Sequence, residues 1–183
     1  MTDNYTKPMP WTSADILDAT KGELLIGDIK STFSGISIDS RIISVDELFV
    51  AIRGNIYDGF FFAGDVIKQG VRGLLINKDK ANGLPYEKWR KKRVVCIATK
   101  DTIKALGDLA AGWRRKFPVP VGVLTGSNGK TTTKEMTMAI LRLCFSCLWS
   151  AGNYKNRIGL PLTLLILNPE HERVVLEMGM SGP

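Results

Sequence analysis

The sequence predicts an α/β protein: a small N-terminal α/β domain over residues 1–117, then the start of a doubly wound, mostly parallel P-loop domain over residues 118–183. Three observations carry this. Short β-branched or apolar runs alternate with amphipathic stretches that bear helix caps. The pattern restarts at Phe117-Pro118-Val119-Pro120, where the prolines interrupt backbone hydrogen bonding. Finally, "VGVLTGSNGKTTTKEM" (Val121–Met136) places a β-branched run, a glycine loop and a helical pattern in direct succession.

The elements follow in order. In "WTSADILDATKGELLIG", Thr12 and Asp15 have capping-box spacing, and the helix they open closes near Gly22. "GISIDSR" is a short strand entering a polar turn at Asp39-Ser40-Arg41, and "ELFVAIRG" a strand ending at Gly54. "FFFAGDVIKQG" is a helix stopped by Gly70, and "VRGLLIN" the next strand. Lys88–Arg93, "KWRKKR", is expected as a solvated loop before the strand Val94–Ile97. Asp101 caps the helix "TIKALGDLAAGWRRKF", whose basic last turn suits the helix dipole and which Pro118 ends. Beyond it, "VPVGVLT" is a buried strand, Lys130 to about Cys144 a helix, and "CLWS" a second strand. "GLPLTLLIL" is a short apolar helix with Pro161 in its first turn, and "RVVLEMGM" a third strand. A doubly wound nucleotide domain typically has about five strands, so a fragment of a larger protein is expected.

Composition narrows the function classes. The 183 residues are 44% hydrophobic and 23% charged, ordinary for a globular chain of one large or two small domains. No apolar run reaches the ~18 residues of a membrane span, so membrane insertion is not expected. The first residues lack a basic patch followed by an apolar core, so the cytoplasm is the expected location. The three cysteines, Cys96, Cys144 and Cys147, are expected as buried, inert thiols rather than a disulfide framework. Net charge is +7, but no stacking platform or recognition-helix pattern accompanies the basic run. That charge suits anionic small molecules rather than nucleic acid. His171, in "NPEHER", is expected at the surface.

The glycine loop carries the chemistry. Gly126 and Gly129 let backbone N–H groups approach a phosphate closely, and the helix from Lys130 adds the positive end of its dipole. Lys130 can reach the β- and γ-phosphates and the Thr131 hydroxyl can ligate Mg²⁺. The G-x-x-x-x-G-K-[ST] pattern puts its first glycine where this chain has Leu124. A neighbouring strand end should supply an acid to the metal, and Glu177 follows Val174-Val175-Leu176 there.

"TGSNGKTT" resembles the P-loop of the Mur ligases, ATP-dependent amide-forming enzymes of peptidoglycan assembly. "SNGKTTTKEM", "GNYKNRIGLPLTLL", "LEMGMSG" and "SIDSR…LFVAIRG…DG" resemble the member that joins D-alanyl-D-alanine to a UDP-N-acetylmuramoyl tripeptide. The resemblance implies a UDP-sugar-binding N-terminal domain, a central ATP-binding domain and a closing C-terminal domain, the last beyond Pro183 together with a carbamylated lysine and the adenine contacts. By the same resemblance, Gly126, Ser127, Asn128, Gly129, Lys130, Thr131 and Thr132 cradle ATP, Lys130 is catalytic, and Thr131 and Glu177 hold Mg²⁺. Ser40, flanked by Asp39 and Arg41, contacts the UDP-sugar, and Asn153 and Asn156 lie near the substrate cleft. The expected protein is a monomer. Two departures fall in the UDP-sugar domain: Asp46-Glu47 where the family usually has Gly-Asp, and Asp58-Gly59-Phe60 where it usually has Asp-Gly-His. The ligase that adds the third amino acid, and a non-catalytic nucleotide- or UDP-sugar-binding module, are the alternatives.

Overall fold

The computed structural model describes residues 10–54, 57–150, 152 and 154–179. The chain forms two compact units, Met1–Asp108 and Leu109–Pro183.

The first unit begins with β1 (Trp11–Thr12) and α1 (Ser13–Thr20). The predicted capping box is present. The Asp15 N–H donates to the Thr12 hydroxyl at 3.0 Å, and the Thr12 N–H donates to the Asp15 carboxylate at 2.9 Å. Then come β2 (Glu23–Ile26), β3 (Thr32–Phe33), β4 (Ile36–Ser37) and β5 (Leu48–Val50). α2 (Ala63–Gln69), β6 (Gly73–Asn77), α3 (Tyr86–Lys91), β7 (Val95–Thr99) and α4 (Thr102–Arg114) follow, with the boundary between the units inside α4.

The main sheet runs β2-β7-β6-β5-β4, all parallel except β2, while β1 and β3 form a separate antiparallel pair. Every residue of β6 and β7 is buried, as near-continuous apolar strands at the centre of a parallel sheet should be. Alternation sorts their side chains. Phe49, Leu74, Ile76 and Cys96 face Val66 of α2 and Trp89 of α3 in one core cluster. Gly73 makes room for a neighbour: a Cβ there would lie 2.3 Å from the buried Phe33 ring and 3.0 Å from Leu48. Gly73→Ala is expected to cost about 1–3 kcal/mol through overpacking, read as a lower urea midpoint at unchanged slope.

Several expectations change on folding. The basic run is not a loop: Lys88, Trp89, Arg90 and Lys91 belong to α3, and Arg93 turns the chain with φ 57°. Tyr86 and Trp89, three apart, give that short helix a face to pack against the core. The strand predicted to reach Gly54 stops at Val50, where the Ile52 N–H turns back to the Val50 carbonyl at 2.9 Å. The helix ahead of Gly70 starts as a 3₁₀ turn, Gly59–Phe62, capped by Asp58, and becomes α-helical at Ala63.

The second unit contains β8 (Val121–Leu124), α5 (Lys130–Leu141), β9 (Cys147–Trp149), α6 (Gly159–Leu165) and β10 (Arg173–Glu177). Its three strands are parallel in the order β8-β10-β9, with α5 packed against all of them. Trp113, fully buried, donates its indole N–H to the Leu167 carbonyl at 2.8 Å and meets Phe117 edge-on at 5.4 Å. Arg114 closes the end of α4 by donating to the carbonyls of Phe117 and Val119 at 2.6 and 2.8 Å.

β8 was expected to be buried, yet Gly122 and Val123 are exposed. β8 is an edge strand that pairs only with β10 among the described residues. Cys96 is buried and its thiol is pushed up to about 12 by that burial, but Cys147 is half-buried and Cys144 exposed, so buried thiols hold only for the first. His171 is half-buried rather than at the surface. Its Nδ1 accepts the Asn168 N–H at 3.1 Å and so closes the turn before β10, while burial holds its pKa below the usual histidine value.

Candidate functional site: the glycine loop and the acid beside it

β10 lies between β8 and β9, and its register sets Glu177 opposite Leu124, at the residue where β8 gives way to the loop. Insertion of that strand brings the loop and the acid together. Gly126 has φ 139° and Gly129, which caps α5, φ 74°. A Cβ at Gly129 would meet nothing within 4 Å, and one at Gly126 only the Asn128 carbonyl at 4.0 Å. Backbone angle, not crowding, therefore demands glycine at both positions, and space is left beside the loop. Ser127 and Asn128 are exposed at its tip, and Thr131 and Thr132 are exposed in the first turn of α5. The Lys130 ammonium turns back onto the loop, donating to the Gly126 carbonyl and, at 3.5 Å, to that of Ser127.

The Thr131 hydroxyl donates to the Glu177 carboxylate, 2.9 Å from Oε2 and 3.1 Å from Oε1. Glu177 is 1% exposed. Its N–H donates to the Ser150 hydroxyl at 2.9 Å, and the Lys155 ammonium lies 3.4 Å from Oε1. Lys134, also 1% exposed, has its ammonium 3.8 Å from Oε2 and 2.9 Å from the Ser150 carbonyl. Burial pushes the Glu177 carboxyl upward, but the Thr131 hydroxyl and the two ammonium groups outweigh it and hold the pKa below the usual glutamate value.

Sequence reasoning missed Lys134, Ser150 and Lys155. A signal existed for the first. Lys134 is three residues after Thr131 and so falls on the same helical face, where a purely structural helix would carry an apolar residue.

The oxygen set suits a hard divalent cation such as Mg²⁺. One hydroxyl and one carboxylate already converge, and Mg²⁺ usually takes one or two carboxylates, leaving its other positions to phosphate and water. Thr131 and Glu177 would hold it. Among the described residues no cluster of three or more His, Cys, Asp or Glu forms an all-protein cage.

The other candidate residues are placed as follows. Asp39, Ser40 and Arg41 follow β4 at the edge of the first unit's sheet. Arg41 grips Asp39 in a fork, Nε to Oδ1 at 2.9 Å and Nη2 to Oδ2 at 2.6 Å, which lowers the Asp39 pKa to about 2. Ser40 is half-buried between them. Asn156 caps α6, its side-chain oxygen accepting the N–H groups of Ile158 and Gly159 at 3.0 and 2.8 Å. Asn153 lies outside the described residues.

The second unit is thus a parallel α/β unit in which a glycine loop of phosphate-binding type faces a buried strand-end acid. Residues 124–183 match the Mur ligase middle domain and residues 32–114 the catalytic domain of the Mur ligase family. The chain belongs to the Mur ligase family. It is 39% identical over 170 residues to the UDP-N-acetylmuramoyl-tripeptide–D-alanyl-D-alanine ligase of Escherichia coli K12, a match covering 93% of this chain and 35% of the relative. The MurF structure from Acinetobacter baumannii superposes with a TM-score of 0.84 at 30% identity, covering 97% of this chain and 37% of that one. A Thermotoga maritima MurF ligase in complex with ADP superposes at 0.69 and 28% identity, covering 81% and 33%. The chain thus spans about a third of the length of these relatives. Among the described residues no helix is long and apolar enough to cross a membrane.

Proposed function

We propose that this chain supplies the nucleotide-binding loop and the UDP-sugar-binding domain of an ATP- and Mg²⁺-dependent ligase that joins D-alanyl-D-alanine to a UDP-N-acetylmuramoyl tripeptide. The observation that carries the proposal is the Thr131–Glu177 pair set beside a glycine loop that ends in Lys130. Residues 1–117 form the UDP-sugar domain, where Ser40 with Asp39 and Arg41 meets the uridine nucleotide, and residues 118–183 begin the ATP-binding domain. Asn153 and Asn156 border the substrate cleft. The reading implies a cytoplasmic monomer.

The chemistry is carboxylate activation. The tripeptide carboxylate attacks the γ-phosphorus of ATP, ADP departs, and an acyl phosphate forms. The D-alanyl-D-alanine amine then attacks the acyl carbon, loses a proton, and phosphate leaves. The backbone N–H groups from Gly126 to Thr132 bind and orient the phosphates. Lys130 would leave the Gly126 carbonyl for the γ-phosphoryl oxygens and neutralise charge there in the transition state. Thr131 and Glu177 hold Mg²⁺, which when bound offsets phosphate charge.

Calorimetric titration of the chain with ADP tests the first step. Binding is expected with Mg²⁺ present, and Gly129→Val should weaken it at least about tenfold, because a β-branched side chain strains the left-handed backbone that aims the N–H groups. Equal affinity in the variant would sink the loop assignment.

A further inference from the structure

Two lysines that the proposed chemistry does not use sit on the cation pair. Lys134 is fixed: its ammonium is buried, held by the Ser150 carbonyl at 2.9 Å and by Glu135 Oε1 at 3.2 Å, and lies 3.8 Å from Glu177 Oε2. Lys155 is movable. Its side chain is 37% exposed, and its ammonium lies 3.4 Å from the other oxygen of the same carboxylate. The Lys155 backbone is tied to the end of β10, where its carbonyl accepts the Gly179 N–H at 3.0 Å.

Burying an ammonium is costly, and a leucine or methionine at position 134 would fill the space without that cost. What only a lysine supplies there is positive charge. The local charge is decisive: the ammonium groups of Lys134 and Lys155 flank one buried carboxylate, while Glu135, the other carboxylate on Lys134, is 61% exposed. A divalent cation arriving alone at Thr131 and Glu177 would meet two ammonium groups already neutralising its only carboxylate. A cation arriving with phosphates would not, because the phosphate charge offsets the ammonium groups and gives Lys155 somewhere else to go.

We propose that Lys134 and Lys155 exclude a free divalent cation from the Thr131–Glu177 pair, so that the cation enters only together with the nucleotide phosphates. This rests on the assignment of Thr131 and Glu177 as the cation-binding pair. The two lysines set which ionic species loads the site, free cation or cation–nucleotide complex, without being cation ligands.

The test uses Mn²⁺, which takes the same oxygen ligands as Mg²⁺ and whose free form is counted directly by electron paramagnetic resonance. Titrated into the nucleotide-free wild-type chain, Mn²⁺ should remain free, and with ADP present the chain should take up Mn²⁺ beyond the amount that ADP binds in a protein-free control. K134M/K155M should acquire nucleotide-free Mn²⁺ binding about tenfold tighter or more than wild type, and K155M alone a smaller gain. E177Q added to the double variant should remove it. A gain of affinity cannot be produced by unfolding, and K155M, at a partly exposed position, covers the case in which the buried Lys134 does not tolerate replacement. Unchanged Mn²⁺ affinity in both K155M and K134M/K155M overturns the proposal while leaving the cation pair in place. Protein-bound Mn²⁺ in the presence of ADP, counted beyond what the same ADP takes up without protein, that survives E177Q in the wild-type background overturns the cation pair itself, and the proposal with it.

Discussion

Lys130→Ala is expected to lower ATP-dependent phosphate release by about 10²–10³-fold when introduced into the complete ligase, the size of effect seen when one positioned electrostatic donor is removed. The ammonium lies against the loop carbonyls of Gly126 and Ser127, ready to meet phosphate in the space that the two glycines leave open. The other nearby ammonium groups cannot replace it. Lys134 is buried against the Ser150 carbonyl, and Lys155, beside Glu177, is not held on the loop carbonyls that position Lys130. Because the γ-phosphoryl charge grows most in the transition state, the loss should appear in kcat more than in KM. A phosphate-release assay under saturating substrate measures it directly, and a rate within about threefold of wild type would remove Lys130 from the chemistry.

Glu177→Ala is expected to destabilise the second unit by about 3 kcal/mol, because it takes away the buried carboxylate beside the Lys134 ammonium and leaves only the exposed Glu135 to balance it. For a unit of this size that is a fall of more than roughly 10 °C in melting temperature. The carboxyl pKa is held below its unfolded value, so its stabilising contribution is complete above the usual glutamate range and is lost as pH falls through the lowered folded value. The difference between wild type and the alanine variant should therefore be widest near neutral pH and shrink toward strong acid. Thermal melts across that pH range test it, and a difference that grows on acidification would contradict the sign. Lys134→Met/Glu177→Leu, which removes both buried charges, should recover much of the lost stability.

Much of this fold is legible in short stretches of sequence. Thr12 and Asp15 declare their capping box three residues apart, and Gly70 ends α2 with φ 105°. Gly126 and Gly129 mark the loop because their backbone angles are left-handed. The run Lys88–Arg93 was harder to read. Its charge suggested a solvated loop, while its fold follows from the one tryptophan that the core takes up. The cysteines failed for the same kind of reason, since burial differs among Cys96, Cys144 and Cys147 according to what packs over each.

What the sequence by itself determined is the set of local commitments: caps, strand runs, the glycine loop, Lys130 and Thr131 at the start of α5, and an acid at the end of the last described strand. These depend on neighbours a few residues away, so they survive without knowledge of the fold. Tertiary structure alone decided the rest. β10 enters the sheet between β8 and β9, which puts Glu177 beside a hydroxyl 46 positions earlier in the chain and buries Lys134 under the same carboxylate. Strand order is a long-range choice, made by packing and by the closure of parallel crossovers, and no local pattern of side chains encodes it.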